Sequence, residues 1–354
     1  MYLKHAMKIN NSGPVMISGA TGYIASWVVK FFLEEGFTVH AAVRDADNKQ
    51  KRKHLDDLAK HHKGDIIYFE TDLLKNGSYE EAMQGCQIVL HTASPFLLES
   101  KNPQQELIDP ALKGTMNILE SVNNTKAVKR VILTSSVAAI YGDAIDSLRA
   151  PNRTFDETMW NTTSSITNNE YSYSKTLAEK RAWEMCKQQN RWDLISINPS
   201  FVVGPALNPL ADFQSKKVML QFGNGDLKYG APDLTLGMVD VRDVGKAHVQ
   251  AALNSSASGR YILSSESISF LELGEILKDS FGNIYPFPKR KAPKFLFWIL
   301  APFFGVKRNF VSNNVGYAVF FNNEKSKEDL SIDYIPIKKS APEFFQQLVE
   351  KKLL

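Results

Sequence analysis

A tyrosine and a lysine four residues apart form the first pair whose side chains could do chemistry together. Tyr171 and Lys175 lie in the run YSYSKTLAEK, which predicts a helix, so the two side chains would share one helix face. A free tyrosine has a pKa of about 10. A neighbouring ammonium favours the phenolate, and we therefore expect Lys175 to lower the pKa of Tyr171. Such a pair could protonate a developing alkoxide or deprotonate an alcohol.

The same spacing of tyrosine and lysine also arises by chance on surface helices, and a second tyrosine complicates the assignment. Tyr173 is close to Lys175 in sequence, but residues two apart do not face each other on a helix. We therefore assign Tyr173 to packing or to the wall of a substrate pocket, and Tyr171 to proton transfer.

A run of hydroxyl side chains ends the predicted strand that precedes this helix. Thr134, Ser135 and Ser136 follow the apolar residues VIL. A hydroxyl at the carboxyl end of a strand can donate a hydrogen bond to a substrate oxygen, as oxyanion-stabilising groups do. Serines in such positions also serve as simple turn formers. Ser136 is the candidate donor.

A glycine-rich turn follows the first predicted strand of the chain. Residues 19–25 read GATGYIA, with the spacing GxxGxxA. Gly19 allows a tight turn, Gly22 lets the backbone approach a pyrophosphate, and Ala25 keeps the helix close to the strand. The start of the helix supplies free N–H groups for the phosphates. Against the alternative of an ordinary turn, we predict contacts to a dinucleotide from Gly19, Thr21, Gly22, Tyr23 and Ile24.

The tip of the second predicted strand favours NADP(H) over NAD. An arginine at this position, here Arg44, can hold the 2′-phosphate by charge-assisted hydrogen bonds, whereas NAD sites usually place a carboxylate there. Asp45 directly after it is the feature that speaks for NAD. The basic run 49–54 adds positive charge, although most of its members would form a solvated helix face. Asp72 and Leu73, after the third strand, are placed for adenine contacts, with a helix N-cap as the alternative for Asp72.

These candidate residues need a framework in which strands and helices alternate. The first two hundred residues predict strands at 15–18, 38–43, 66–69, 87–91, 128–134 and 193–198. Between them, helices are predicted at 22–35, 48–61, 78–83, 104–122 and 171–189. This alternation is typical of an α/β protein with a doubly wound parallel sheet of the Rossmann type.

The strand and helix rhythm breaks after residue 198, where glycine and proline cluster. Residues 238–252 look like a further strand and helix that return to the sheet, and residues from 266 onward are helical and irregular. We predict a dinucleotide-binding domain formed by residues 1–198 and 238–265. A smaller, discontinuous and mostly helical substrate-binding lobe would consist of residues 199–237 and 266–354, above the carboxyl ends of the strands.

Composition and charge exclude several classes of protein. The 354 residues are 44% hydrophobic and 23% charged, as in ordinary globular proteins. The net charge of +4 is too small to indicate a nucleic-acid partner. Cys86 and Cys186 have no CxxC spacing, so we expect no disulfide framework and no metal site.

Two apolar segments bear on membranes and location. Residues 15–17 are too short for a signal-peptide core. Residues 295–305 have about half the length of a membrane span and contain Pro302, so we interpret them as a buried helix or a substrate-facing wall. We therefore expect no membrane partner and a cytoplasmic location.

With all these motifs in one chain and in this order, the sequence resembles the extended short-chain dehydrogenase/reductase family. Within it, the resemblance is to the branch of dihydroflavonol reductase, cinnamoyl-CoA reductase and yeast methylglyoxal/ketone reductase. It covers nearly the whole chain and rests on VMISGATGYIASWVV, VRDADNKQKRKHL, VLHTASPF, VILTSSVAAIYG, YSYSKTLAEK and INPSFVVGP. It implies a catalytic triad of Ser136, Tyr171 and Lys175, and it implies hydride transfer to a carbonyl rather than sugar epimerisation.

The resemblance also implies how the cofactor and substrate are held. Arg44 and Lys51 would bind the 2′-phosphate, and Lys175 would also bond the nicotinamide ribose. Thr92, Ala93, Ser94, Thr134 and Ser135 would border the cofactor, with Pro199 and Val202 near the nicotinamide. For the substrate wall we select Pro95, Phe96, Ile140, Tyr173 and Phe201.

The predicted function is therefore NADP(H)-dependent reduction of a small-molecule ketone or aldehyde to an alcohol. An NAD-dependent sugar-nucleotide epimerase or dehydratase is the alternative, which Arg44 disfavours. A non-enzymatic NADP-sensing protein would usually lack the tyrosine or the lysine. Whether basic residues near the C-terminus contact an acidic substrate such as a CoA ester or face water stays open, as does the choice between monomer and homodimer.

Overall fold

The structure is a computed structural model that describes residues 13–94 and 102–354. Its strands, numbered along the chain, are β1 (Val15–Ser18), β2 (Val39–Val43), β3 (Ile66–Glu70), β4 (Ile88–His91), β5 (Arg130–Thr134), β6 (Thr154–Phe155), β7 (Asp193–Pro199), β8 (Phe201–Val203), β9 (Thr235–Asp240), β10 (Gly259–Leu263), β11 (Glu266–Ser269) and β12 (Phe320–Phe321).

The helices connect these strands and fill the second half of the chain. They are α1 (Tyr23–Glu34), α2 (Lys49–Ala59), α3 (Asp109–Asn124), α4 (Glu170–Lys187), α5 (Gln214–Asn224), α6 (Val241–Leu253), α7 (Phe270–Phe281), α8 (Lys294–Leu300), α9 (Arg308–Asn314), α10 (Glu324–Leu330) and α11 (Ile337–Glu350). A π-helical turn and four short 3₁₀ segments complete the list: Gln104–Ile108, Val137–Ala139, Ala144–Arg149, Pro151–Arg153 and Ala301–Phe304.

Seven parallel strands form the central sheet, in the order β10-β7-β5-β4-β1-β2-β3. The chain runs outward in one direction from β1 to β3 and in the other direction from β4 to β10. The order therefore reverses between β1 and β4, and ligands of doubly wound sheets bind outside the carboxyl ends of the strands at such a point. The predicted Rossmann-type sheet is confirmed.

Two hydrophobic cores cover the two faces of this sheet. On one face, α1 and α6 pack against it through residues such as Val28, Phe32 and Val244. On the other, α3 and α4 contribute residues such as Ile118 and Met185. The strands β1, β2 and β4 are buried along their whole length, because a parallel sheet with helices on both sides has no solvent face.

A second, three-stranded sheet with the order β11-β9-β8 lies beside the first. Helices α5, α7 and α11 pack on it around a third core that includes Phe222, Leu273 and Phe344. The strand that precedes α6 was predicted to return to the main sheet, and that prediction is wrong. β9 pairs with β8 and β11, while β10 joins the main sheet beside β7.

Two other predicted elements differ from the structure. Residues 78–83 form turns between Gly77 and Gly85 rather than a helix; both glycines have positive φ angles, which end regular structure on either side. Residues 295–305 are not a buried helix: α8 has no buried residue, and among the side chains that the structure describes in this stretch, Ala301 alone is fully covered. Across the described residues, no helix has the length and the apolar character that crossing a membrane requires.

Candidate active site

The turn between β1 and α1 is shaped to receive a phosphate group. Gly19 has a φ of 64°, and its carbonyl accepts the N–H of Gly22 at 2.9 Å. A Cβ on Gly19 would lie 3.1 Å from the Cα and Cβ of Ala93, so the backbone leaves no room for a side chain there. Gly22 precedes α1 without a capping side chain, which leaves N–H groups of the first helical turn available to an anion.

The other predicted residues of this turn contact the protein with their side chains. The Tyr23 hydroxyl donates to the carbonyl of Gly204 at 2.6 Å, and its ring stacks on Phe213 with centroids 4.1 Å apart. Ile24 packs partly buried against the core under α1, and Thr21 is half-buried. For Tyr23 and Ile24, a contact to a dinucleotide would therefore come from the backbone.

Two cationic side chains, one just after β2 and one in the first turn of α2, are available to bind a phosphate. Arg44 and Lys51 are exposed, and neither side chain forms a hydrogen bond or ion pair with the residues that the structure describes. The Asp45 carboxylate, by contrast, accepts the backbone N–H groups of Asp47 at 3.2 Å and Asn48 at 3.1 Å. Asp45 thus builds the turn into α2, which weakens the one feature that spoke for NAD.

The residues after β3 form a compact turn. The Asp72 carboxylate accepts the N–H of Leu74 at 2.8 Å, and no helix follows, so Asp72 caps a turn rather than a helix. Leu73 fills the space above Gly114, where a Cβ would lie 2.5 Å from it. This packing fixes the turn beside the edge where an adenine is predicted.

The loop after β4 is fastened to the end of β1. Ser18 Oγ accepts the N–H groups of Thr92 at 3.1 Å and Ala93 at 3.0 Å, and the Thr92 hydroxyl donates to the Ser18 carbonyl. Ser94 Oγ accepts a hydrogen bond of 3.0 Å from Lys175 Nζ. The loop therefore joins the glycine turn to α4. Pro95 and Phe96, predicted to line the substrate pocket, lie outside the described residues.

The structure brings Ser136, Tyr171 and Lys175 together. Ser136 follows β5 and hydrogen-bonds to the Tyr171 side chain, while its Oγ also accepts the N–H of Ala138 at 3.1 Å. Tyr171 and Lys175 lie on successive turns of α4, with Lys175 Nζ 6.0 Å from the centre of the phenol ring. The three predicted catalytic residues thus meet where β5, α4 and the β4 loop converge.

Burial dominates the ionisation of both titratable members of this group. It raises the pKa of Tyr171 to about 12, and the hydrogen bond with Ser136 lowers that pKa only in part. Burial lowers the pKa of Lys175 to about 8, against the opposing effect of the Glu179 carboxylate. The prediction that Lys175 lowers the pKa of Tyr171 is therefore wrong for this arrangement, because desolvation of the phenol outweighs an ammonium that points toward Ser94.

A buried carboxylate one turn beyond Lys175 was not singled out from the sequence. Glu179 is 1% exposed and accepts hydrogen bonds from Ser135 Oγ at 2.5 Å, Asn198 Nδ2 at 2.8 Å and Arg260 Nε at 2.7 Å. Its only signal in the sequence is an acidic residue at i+4 from Lys175 on the inner face of α4. Glu179 ties that helix to β5, β7 and β10.

The hydroxyls that precede Ser136 have partners of their own. Thr134 Oγ1 lies 2.7 Å from His248 Nε2, and Ser135 donates to Glu179 as described. Each hydroxyl therefore already has one partner in the protein. At the end of β7, Asn198 Nδ2 donates to the Ser136 carbonyl at 3.0 Å, while the buried Asn198 Oδ1 and Ser200 Oγ have no partner in the part of the chain that the structure describes.

These two unpartnered atoms flank Pro199 and lie close to Val202, the residues predicted to border a nicotinamide. Buried polar atoms without a partner are rare in proteins, and a bound ligand or water is one explanation for them. Asn198 Oδ1 is a hydrogen-bond acceptor and so does not suit a phosphate. The open glycine turn and the Arg44 cation are the features that fit the phosphate groups of a dinucleotide.

A small cavity lies behind Lys175. Its volume is about 20 Å³, and its walls include His91, Ser94, Thr134, Lys175 and Glu179. A space of this size and polarity holds about one water molecule. Burial and, to a lesser degree, Lys175 lower the pKa of His91 to about 3, so its ring is neutral near pH 7.

The predicted substrate-wall residues do not share one cleft. Ile140 lines a cleft of about 320 Å³ with Tyr141, Phe155, Met159 and Trp160. Phe201 packs instead against the core of the small sheet, and Tyr173 is half-buried on α4. Neither of these two residues lines that cleft.

Comparison with known proteins gives consistent matches. The model of the NAD dependent epimerase/dehydratase family matches residues 15–263. The cinnamoyl-CoA reductase CAD2 of Medicago truncatula is 38% identical over 353 residues, covering 98% of this chain and 99% of the relative. An anthocyanidin reductase of Vitis vinifera is 35% identical over 290 residues, covering 78% of this chain and 82% of the relative.

Solved structures give the same result. Gre2 of Candida albicans, in complex with NADPH, has a TM-score of 0.75 at 29% identity and covers 95% of this chain and 98% of its own. The reductases among these matches favour the predicted NADP(H)-dependent carbonyl reduction over the epimerase alternative. The family inferred from the motifs is confirmed, and the chain belongs to the NAD dependent epimerase/dehydratase family, as a member of its extended short-chain dehydrogenase/reductase branch.

Proposed function

We propose that the protein is an NADP(H)-dependent carbonyl reductase in which Ser136, Tyr171 and Lys175 are catalytic. The observation that carries this proposal is the meeting of these three side chains at the carboxyl end of β5, joined to the glycine turn through Ser94. Reaction chemistry and dinucleotide binding would then occur within one continuous set of contacts at the switch point of the sheet.

The dinucleotide would be held by residues at the ends of β1, β2 and β7 and on helices α2 and α4. The N–H groups after Gly19 would bind the pyrophosphate, Arg44 and Lys51 would bind the 2′-phosphate, and Lys175 would bond the nicotinamide ribose. Pro199 and Val202 would border the nicotinamide, beside the unpartnered atoms of Asn198 and Ser200. Bound NADPH supplies a hydride to the substrate carbonyl carbon.

Within this site the chain itself handles the proton and the developing negative charge. A phenol with a raised pKa keeps its proton across neutral pH, so Tyr171 is poised to donate that proton to the carbonyl oxygen. Ser136, already hydrogen-bonded to Tyr171, would donate to the same oxygen and orient the carbonyl. The Lys175 ammonium would favour the phenolate that remains after the proton has left.

The similar proteins suggest a class of substrates for this chain but no single compound. They include a cinnamoyl-CoA reductase, an anthocyanidin reductase and the NADPH-bound Gre2. We propose small aldehydes and ketones, with aromatic and thioester carbonyls among the compounds to be tried. The cleft that Ile140 and Trp160 line is mixed in character, since Arg149 and Asn161 line it too. It could therefore accept a substrate that carries an apolar body and polar groups.

A substrate screen tests this proposal. The purified chain is mixed with NADPH and a panel of aldehydes, diketones, keto-esters and CoA thioesters, and NADPH absorbance is followed. We expect oxidation of NADPH that depends on at least one carbonyl compound, with the alcohol identified by mass spectrometry. Tight NADPH binding without turnover on any compound would contradict the proposal, and so would a protein that purifies with bound NAD and turns over nucleotide sugars.

A further inference from the structure

One stretch of the second half of the chain carries positive charge without any negative charge. Residues 280–323 contain no aspartate or glutamate, and they contain six basic residues: Lys289, Arg290, Lys291, Lys294, Lys307 and Arg308. The chain as a whole is nearly balanced, with 42 basic and 38 acidic residues. A local excess of this kind creates a positive field over one surface.

The same stretch exposes large apolar side chains. We call them the apolar patch: Phe295, Leu296, Trp298, Ile299, Leu300, Phe303 and Phe310. Phe295 is 69% exposed and Phe303 is 84% exposed. Isolated exposed apolar residues are ordinary, but a group of them on consecutive helical turns marks an interaction surface.

The apolar patch has a defined inner side that holds it in place. Ala301, Val311 and Val315 form a small buried core between α8 and α9, with Phe297 packed against it. Trp298 Nε1 donates to Ser312 Oγ at 3.2 Å. The helix pair is therefore folded and anchored, and the outward aromatic and aliphatic side chains are presented on a stable support.

Three of the six cations, Lys294, Lys307 and Arg308, lie on or directly beside α8 and α9, and two of the six form ion pairs. Lys307 pairs with Glu170, and Lys291 lies 2.7 Å from Asp233. The Arg308 guanidinium lies 4.5 Å above the Trp298 ring. Lys294 donates to backbone carbonyls of Ser312 and Val315, which leaves its charge uncompensated.

We propose that this surface docks on an anionic phospholipid membrane, with the apolar patch in the interface and the surrounding cations on the headgroups. Basic residues beside exposed tryptophan, phenylalanine and leucine are the composition of segments that lie in a membrane interface. Each lysine or arginine near an anionic surface strengthens binding about fivefold. This proposal goes beyond the reductase reaction and does not depend on it.

Charge complementarity favours lipid over a second copy of the chain. In a two-fold dimer the same patch would face itself, and the cations around it would be brought together, where like charges repel. An anionic bilayer offers the opposite sign over a wide area. Because Lys307 pairs with Glu170, which directly precedes Tyr171, docking would turn the start of α4 toward the lipid.

Vesicle co-sedimentation of the full chain tests the proposal. Vesicles of phosphatidylcholine alone are compared with vesicles that also contain phosphatidylglycerol. We expect binding to the anionic vesicles that is at least tenfold stronger than to the neutral ones and that weakens as salt is raised. Equal binding to both vesicles, or no binding to either, would overturn the proposal.

Paired variants distinguish vesicle binding through the apolar patch from nonspecific hydrophobic adsorption. Phe295→Ser with Phe303→Ser is expected to lower vesicle binding at least tenfold, while Leu210→Ser, which removes an apolar side chain of similar exposure elsewhere, leaves it unchanged. Lys289→Glu with Arg308→Glu is expected to abolish the preference for anionic vesicles, with Lys187→Glu as its control. Thermal unfolding and NADPH binding check that each variant is folded.

Two further results would point to other occupants and so contradict the proposal. A concentration-dependent dimer in sedimentation equilibrium that disappears in the Phe295→Ser, Phe303→Ser variant would assign the patch to a second copy. Loss of carbonyl reduction in that variant, with vesicle binding intact, would assign it to the substrate pocket.

Discussion

At the scale of single residues, burial shifts the pKa values of Tyr171 and Lys175 in the directions that disfavour their charged forms. Burial leaves Tyr171 with a pKa of about 12 and Lys175 with a pKa of about 8. The sequence predicted that the two residues lie on one helix, and their roles as a catalytic pair stay a prediction. It did not predict the direction of the shift in the tyrosine pKa, because spacing along a helix contains no information about desolvation. A phenol with this pKa holds its proton near pH 7, but it is a weaker acid than a free tyrosine, so proton donation would depend on a charge that stabilises the phenolate.

The lysine pKa predicts a pH dependence. Below about pH 8, Lys175 carries its proton and can stabilise the phenolate left by Tyr171. As the pH rises through about 8 the ammonium is lost, so kcat/KM for carbonyl reduction should fall on the alkaline side. In Lys175→Arg the guanidinium stays charged, and the fall should move to higher pH in whatever activity remains. Steady-state kinetics from about pH 6 to about pH 10, which spans the Lys175 pKa of about 8, measure this. An alkaline fall at the same pH in both proteins would contradict it.

We propose that the exposed Arg44 guanidinium makes the main contribution to the preference for NADPH over NADH. Replacing Arg44 with alanine should lower kcat/KM for NADPH by about 10- to 100-fold, since hydrogen bonds to charged groups contribute about 1.5–3 kcal/mol, and should change little with NADH. Lys53→Ala is the matched control, because Lys53 lies nearby on α2 but pairs with Asp57. An equal loss with both cofactors would show that Arg44 does not read the 2′-phosphate.

At the scale of elements, the local pattern of apolar and polar residues identified most strands and helices, but it did not identify all of the strand pairings. The sequence predicted β9, the strand before α6, but assigned it to the wrong sheet. The pairing of β9 with β8 and β11 depends on residues in other parts of the chain. Residues 295–305 look like a core helix by hydropathy alone, whereas only the fold shows that their outer side is uncovered. Tyr79 and Met83 are buried at helical spacing, but the chain between Gly77 and Gly85 forms turns.

The glycine turn gives a prediction at this scale. A side chain at Gly19 would be strained by a φ of 64° and would press against Ala93, whereas one at Gly36 would meet only the strain of a φ of 83°. We expect Gly36→Ala to lower the free energy of unfolding by about 1–2 kcal/mol, and Gly19→Ala to lower it by at least as much because of the added contact with Ala93. Only Gly19→Ala should weaken NADPH binding. Chemical denaturation and fluorescence titration measure the two effects, and unchanged NADPH affinity in Gly19→Ala would contradict the assigned role of the turn.

At the scale of the whole molecule, a buried ion pair connects distant parts of the chain to the site. Arg260 on β10 pairs with Glu179 on α4, and it also donates to the carbonyls of Glu157 and Met159. The Arg260 guanidinium also lies over the Trp160 ring, with its Cζ 3.9 Å from the ring centroid. Sequence reasoning could not find this network, because its members are far apart along the chain. The division into domains at residues 198, 238 and 265 stays a prediction.

Removal of this carboxylate should affect both stability and ionisation. Glu179→Ala leaves the Arg260 charge unpaired, and we expect a loss of about 3–5 kcal/mol in the free energy of unfolding. Glu184→Ala, on the same helix but exposed and paired with Arg181, should cost less than about 1 kcal/mol. Glu179→Gln, which keeps the shape, should move the alkaline fall of kcat/KM to lower pH, because the Glu179 charge raises the pKa of Lys175. Similar losses of stability for both alanine variants would contradict the network.

The most direct measurement compares two tyrosines on the same helix. Tyr171→Phe removes the hydroxyl beside Ser136, and Tyr173→Phe removes one two residues further on. With a carbonyl substrate found in the screen, we expect Tyr171→Phe to lower kcat by about 10²- to 10⁴-fold while its dissociation constant for NADPH stays unchanged, and Tyr173→Phe to retain kcat within a few fold. A Tyr171→Phe protein that reduces its substrate at the wild-type rate would contradict the assignment of Tyr171 as the proton donor.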